Sequence, residues 1–145
     1  MATLILVRHG ETDWNAAGRL QGHTDRPLNE YGRTQAKRLA EQLAGDGIAA
    51  IYASDLVRAR ETAEILGERL DVEFEGEATE AHRERVLRAV RRIAERHPGQ
   101  RIVVVTHGGS LRRIQAAASG IALPVVDNCG TWAVAHEDGT FSPID

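Results

Sequence analysis

Thr3-Leu4-Ile5-Leu6-Val7-Arg8-His9-Gly10 near the N-terminus and Arg101-Ile102-Val103-Val104-Val105-Thr106-His107-Gly108 far along the chain decide the fold. Each is a continuous apolar run that ends in a polar residue, a histidine and a glycine. A run apolar at every position, instead of at alternate ones, suits a strand buried on both faces, as in a parallel sheet covered by helices. Ile48 to Ala53 is a weaker run of the same kind, and Val72 to Phe74 is weaker still.

Helical patterns fill the intervals. Ala36, Leu39, Ala40 and Leu43 follow i, i+3, i+4, i+7 spacing, with Gly45 as a stop. Leu56, Ala59, Ala63, Leu66 and Leu70 line one face of a second helix, with Ser54 or Asp55 expected as its N-cap. Val86, Val90, Ile93 and Ala94 mark a third, ending near His97-Pro98-Gly99. A fourth is expected from Gly109 or Ser110 to Ser119-Gly120. Thr131 to His136 and Thr140 to Phe141 read as a hairpin around Glu137-Asp138-Gly139. Strands alternating with helices imply an α/β fold, a three-layer αβα sandwich with a mostly parallel sheet. The 145 residues are expected to form a single domain, 1–145, whose core needs no disulfide or metal.

Composition narrows the function classes. Apolar residues make up 42% and charged residues 27%, which fits a globular chain and not a disordered one. The net charge of -3 carries no basic footprint, so no nucleic-acid partner is expected. The arginines between Arg83 and Arg101 alternate with Glu84 and Glu95, as on a solvated helix face. A single cysteine, Cys129, excludes an internal disulfide. Met1 to Val7 lacks the basic region and cleavage site of a signal peptide. No apolar stretch approaches the roughly 20 residues of a membrane helix. A cytoplasmic protein with no membrane partner is expected, either a monomer or a homodimer.

The repeated strand ending is the chemical clue. In open α/β sheets, ligands bind beyond the carboxyl ends of the strands. His9 and His107 both fall there, followed by glycines expected to permit close backbone approach and unusual dihedrals. The amides of Gly108, Gly109 and Ser110 would open a helix, where N–H groups and the dipole favour an anion. Ile51-Tyr52-Ala53 leads into Ser54-Asp55-Leu56-Val57-Arg58, which brings Arg58 to the same edge. With Arg8, it completes a cationic pocket. Guanidinium groups grip phosphate oxygens bidentately, so a phosphate monoester dianion is implied. The six histidines show no HExxH or other short ligand spacing, and neither GxxxxGK[ST] nor GxGxxG occurs. No metal and no cofactor are expected.

Leu6-Val7-Arg8-His9-Gly10-Glu11-Thr12 through Asn15, with Gly18-Arg19-Leu20-Gln21-Gly22 and Pro27-Leu28-Asn29, resembles the signature block of the histidine phosphatase superfamily, the phosphoglycerate-mutase-like enzymes. Ser54-Asp55-Leu56-Val57-Arg58-Ala59 with Thr62 is similar to its second motif, Thr106-His107-Gly108-Gly109 to its third, and Asn128-Cys129 also matches. The resemblance implies that His9 is a nucleophile forming a phosphohistidine, that Arg8, Arg58 and His107 clamp the phosphoryl oxygens, and that Asn15, Gln21, Gly22 and Gly108 line the substrate pocket.

The chain departs from the family in one place. Many relatives carry a Leu-x-Glu segment after the third strand and then Gly-x-x-Glu-Gly, whose first Glu is the general acid. Here Asp71-Val72-Glu73-Phe74-Glu75 runs almost directly into Gly76-Glu77-Ala78, which resembles the start of the later helix. A lid-like insertion is missing, leaving a more open site. Glu77, or less favourably Glu75, becomes the candidate acid. The expected function is a metal-independent phosphatase for phosphate monoesters, either small phosphorylated metabolites or a phosphohistidine protein. The alternatives are a phosphoglycerate mutase and a catalytically weakened phosphate-binding relative.

Overall fold

Six strands lie side by side in the order β3-β2-β4-β1-β5-β6 in the computed structural model, which describes residues 1–18, 25–72, 74–77, 83–120 and 127–144, with backbone alone at 74–77 and 83–86. They are β1 (Ala2–Arg8), β2 (Ile48–Ala53), β3 (Phe74–Glu77), β4 (Arg101–Thr106), β5 (Thr131–Glu137) and β6 (Thr140–Pro143). The helices are α1 (Asp13–Ala16), α2 (Glu30–Leu43), α3 (Val57–Leu70), α4 (Arg83–Arg96) and α5 (Gly108–Ser119).

The apolar runs form strands because both sheet faces are covered. Leu4, Leu6, Ile102 and Val104 pack with Val90 and Ile93 of α4 and Leu111 and Ile114 of α5. The alternate residues Ile5, Val7, Val103 and Val105 pack with Leu39 and Leu43 of α2 and Ala63 and Leu66 of α3. Burying each large aliphatic side chain contributes about 1.5–3 kcal/mol. The expected αβα sandwich is what forms. Arg91, Arg92, Glu95 and Arg96 of α4 are exposed, as their alternation suggested. Trp132 packs against the first cluster. Among the described residues, no helix is long and apolar enough to cross a membrane.

The sheet is less parallel than expected. β3, β2, β4 and β1 are parallel neighbours, but β5 runs antiparallel to β1 and β6 antiparallel to β5. The hairpin turns at Asp138 and Gly139, with φ of 51° and 78°, as a two-residue turn that follows strand twist requires. Its first strand docks on the open edge of β1 and ends the parallel order there.

Three local expectations are corrected. Val72 is not in a strand: Asp71 is left-handed and the Val72 N–H closes α3 onto the Gly67 carbonyl, so β3 starts only at Phe74. Gly76 and Glu77 do not begin a helix but pair with Tyr52 and Ala53, and the next helix begins at Arg83. Neither Ser54 nor Asp55 is the N-cap of α3; Leu56 is, without a side-chain bond of its own. The helix start is held from elsewhere: Asp25 Oδ1 accepts from the Val57 N–H at 2.7 Å.

Candidate active site

The register places the site. Val7 pairs with Val105, Val105 with Ala53, and Ala53 with Glu77, so one row of residues crosses four strands near their carboxyl ends. The chain beyond that row carries His9 after β1, Ser54 after β2 and His107 after β4. The ladder continues briefly past the strands, with His9 N–H bonded to Thr106 O and Ser54 N–H to Val105 O, each at 3.0 Å. The two expected histidines meet: their ring centroids lie 5.2 Å apart with planes at 63°.

His9 is 3% exposed, and its Nδ1 lies 2.8 Å from the Gly10 carbonyl. A carbonyl only accepts, so Nδ1 carries the hydrogen and Nε2 of the neutral ring carries the lone pair. The ring is neutral well below pH 7. Burial pushes its pKa down to about 4, the Gly10 bond opposes this, and the positive charges of Arg58 and Arg8 push further down. Both expected arginines therefore act on His9. Arg58, in the first turn of α3, is 3% exposed. Burial also lowers the pKa of Arg8, against the opposing charge of Asp127.

The backbone around His9 is braced from three sides. Thr62 Oγ1 accepts from Gly10 N–H at 3.0 Å and donates to Arg58 O at 2.8 Å, joining the loop after β1 to α3. A Cβ on Gly10 would lie 2.7 Å from the Gly32 carbonyl, and one on Gly32 would lie 2.1 Å from the Glu11 carbonyl. The glycines thus serve backbone-to-backbone approach against α2. Gly10, Gly108 and Gly109 all have ordinary φ, so the unusual dihedrals expected of them are not used. The third brace is the turn before β5. Cys129 N–H bonds to Arg8 O and His9 O, and Asn128 Nδ2 donates to His9 O at 3.0 Å. Cys129 holds φ at 58° to do this. Burial raises its thiol pKa to about 12, so it is inert.

His107 is the N-cap of α5, whose first residues are Gly108, Gly109 and Ser110, so their amides form the anion-favouring end that the sequence suggested. Its Nε2 lies 2.8 Å from Ser54 Oγ, a contact that spacing along the chain does not reveal. Asn15 is near the loop but its Oδ1 is engaged in a capping box with Thr12 and also accepts from Asn128 Nδ2 at 3.4 Å. Gln21 and Gly22 lie outside the described residues, as does the structure around His23. Glu77 stands on the carboxyl-end row, three strands from Val7 and so about 14 Å away. Glu75 precedes it in β3 and is not paired in the ladder. Among the described residues, no three or more His, Cys, Asp or Glu side chains are grouped to hold a metal.

The family model described as the histidine phosphatase superfamily (branch 1) matches residues 4–79 and 71–142. The chain belongs to this superfamily. Phosphoglycerate mutase-like protein 4 of Arabidopsis thaliana is 34% identical over 163 positions, covering 81% of this chain and 71% of that protein. The metal-independent phosphoserine phosphatase of the same plant is 33% identical over 168 positions, with the same coverage. Among solved structures, Bacillus stearothermophilus YhfR superposes with a TM-score of 0.87 at 28% identity, covering 99% of this chain and 95% of that one. This histidine phosphatase is an enzyme of the phosphoric monoester hydrolase type. Both plant alignments are longer than the 145-residue chain, so the relatives carry residues that this histidine phosphatase lacks. The family match breaks and restarts at 71–79, around β3, where the sequence places the missing insertion.

Proposed function

We propose that this enzyme hydrolyses phosphate monoesters through a phosphohistidine on His9, with no metal taking part. One observation carries the reading. The buried His9 ring donates from Nδ1 to Gly10, is neutral, and lies beside His107 and within the fields of Arg8 and Arg58. In the first step Nε2 attacks phosphorus and the bond to the leaving oxygen breaks. Arg8, Arg58 and His107 stabilise the equatorial oxygens as charge shifts, with the first amides of α5 behind them. In the second step water attacks, the P–N bond breaks, and inorganic phosphate leaves.

Asn15, Gln21, Gly22 and Gly108 are assigned to the substrate pocket. Glu77 is the preferred candidate over Glu75 for an acid that protonates the leaving oxygen and then a base for water, because its backbone holds the carboxyl-end position that Glu75 does not. The substrate class proposed is a small phosphorylated metabolite, in keeping with the phosphoserine named for the plant relative. The shortened segment near β3 favours hydrolysis over mutase chemistry, since a mutase must exclude water from its phosphoenzyme.

The test is a phosphatase screen over p-nitrophenyl phosphate, phosphorylated metabolites and a phosphohistidine peptide, in EDTA. It is expected to give turnover and an acid-labile phosphoryl group on His9. A His9→Ala variant with undiminished turnover overturns the mechanism. Conversion of 3-phosphoglycerate to 2-phosphoglycerate, primed by a bisphosphoglycerate and without release of phosphate, overturns the preference for hydrolysis.

A further inference from the structure

Ser54 is 1% exposed, so its hydroxyl hydrogen must go to a protein acceptor or remain unsatisfied at a cost. Among the described residues its oxygen has two hydrogen-bond partners. One is the Leu56 N–H at 3.4 Å, which can only donate. The other is Nε2 of His107 at 2.8 Å. The hydroxyl hydrogen therefore points at Nε2, and a nitrogen that accepts cannot carry a hydrogen of its own. When the ring is neutral it has one N–H, and that of His107 is then at Nδ1.

We infer that Ser54 is a positioning residue that fixes His107 as the Nδ1–H tautomer and so makes it a donor to the phosphoryl oxygens. This rests on the reading of His107 as part of the phosphoryl clamp. The relay runs from Leu56 N–H to Ser54 Oγ, from Ser54 O–H to His107 Nε2, and from His107 Nδ1–H to the dianion. The tautomer decides the sign of the last contact. With its hydrogen on Nε2 instead, the ring would present a lone pair at Nδ1 and repel the anion. Ser54 also joins two loops of the site, because it leaves β2 toward the helix that carries Arg58 while gripping the residue that follows β4.

Nitrogen-15 NMR of the imidazole side chains near pH 8, where histidines are neutral, with His107 assigned through a His107→Gln variant, reads the tautomer directly in the parent enzyme. The expected result is a protonated Nδ1 and an unprotonated Nε2 for His107, with a shift toward the other tautomer in Ser54→Ala. In kinetics, Ser54→Ala is expected to raise KM for p-nitrophenyl phosphate and the dissociation constant of orthovanadate together, by about tenfold, the scale of one hydrogen bond to a charged group. A merely structural loss would lower the active fraction and leave both constants unchanged. Ser54→Thr, which retains the hydroxyl, is expected to stay within about threefold of the parent. A parent enzyme with its hydrogen on His107 Nε2, or a Ser54→Ala enzyme with unchanged KM and vanadate affinity, overturns the inference. A fully active His9→Ala would instead sink the phosphohistidine mechanism and leave the tautomer result standing, so the two failures are distinguishable.

Discussion

His9 and His107 follow buried neighbouring strands, both precede glycine, and their rings touch, yet the structure holds the two rings by opposite nitrogens. His9 is almost wholly buried and is oriented by the carbonyl of its own neighbour, Gly10. That leaves Nε2 as a lone pair. His107 is half-buried, begins a helix, and is oriented by a hydroxyl from a different strand connection. That leaves Nδ1 as a donor. What each ring can do is set by the partner of its other nitrogen, not by the local sequence. The braces differ in kind as well. The contact holding His9 is between adjacent residues and survives as long as the loop does. The contact holding His107 exists only when β2 and β4 are in register.

Activity gives the largest test of this division. His9→Ala is expected to lose on the order of 10⁴-fold or more in kcat/KM, because the proposed nucleophile has no substitute. His107→Ala is expected to lose about 10²–10³-fold, the scale for one preorganised donor. Both are read from p-nitrophenyl phosphate hydrolysis, and equal losses would erase the distinction between the rings.

The next test is stability against pH. The pKa of His9 is depressed to about 4 from an ordinary 6.5. Between these values the unfolded chain binds the proton that the folded one refuses, so the contribution is fully present above about pH 6.5 and is lost as pH falls through about 4. The loss is about 3 kcal/mol. Urea unfolding at pH 7 and pH 4 is expected to show that much more destabilisation in the parent than in His9→Ala. A parallel pair of pH profiles would mean that His9 is not held neutral by burial.

Smaller effects probe the braces. Asn128→Ala removes the amide from the His9 carbonyl and is expected to cost about 1 kcal/mol of stability, with a several-fold fall in kcat/KM. The smallest effect is expected at Cys129, beside the same carbonyl. Its raised thiol pKa means that iodoacetamide near pH 8 leaves both the thiol and the activity intact. Rapid alkylation would show that this turn opens in solution.

Much of this was legible in the sequence because burial leaves a compositional trace. β1 and β4 carry the unbroken apolar runs Leu4–Val7 and Ile102–Val105 since helices cover both faces, and Arg8, His9, Arg58 and His107 could be placed together because each falls at a strand end or shortly after one. What stayed hidden depends on pairing or on local bonding. β3 is an edge strand with the mixed sequence Phe74-Glu75-Gly76-Glu77, so it has no two-faced apolar signature. α1 is four residues closed by a Thr12–Asn15 capping box, too short for periodicity to show. Ser54 read as an N-cap because its residue type fits one. Its bond to His107 follows from the insertion of β4 beside β2, which spacing along the chain does not specify. The antiparallel docking of the last hairpin on β1 was hidden for the same reason.

β4 lies between β1 and β2, although it is made after both. During synthesis the first two strands therefore have no edge in common, and the residues that carry His9 and Arg58 have no shared scaffold until Arg101–Thr106 has emerged. Such non-local pairing is slow to form. A nascent chain halted before β4 would thus hold the proposed nucleophile and its guanidinium partner with nothing to align them, and the site would assemble only once β4 is made.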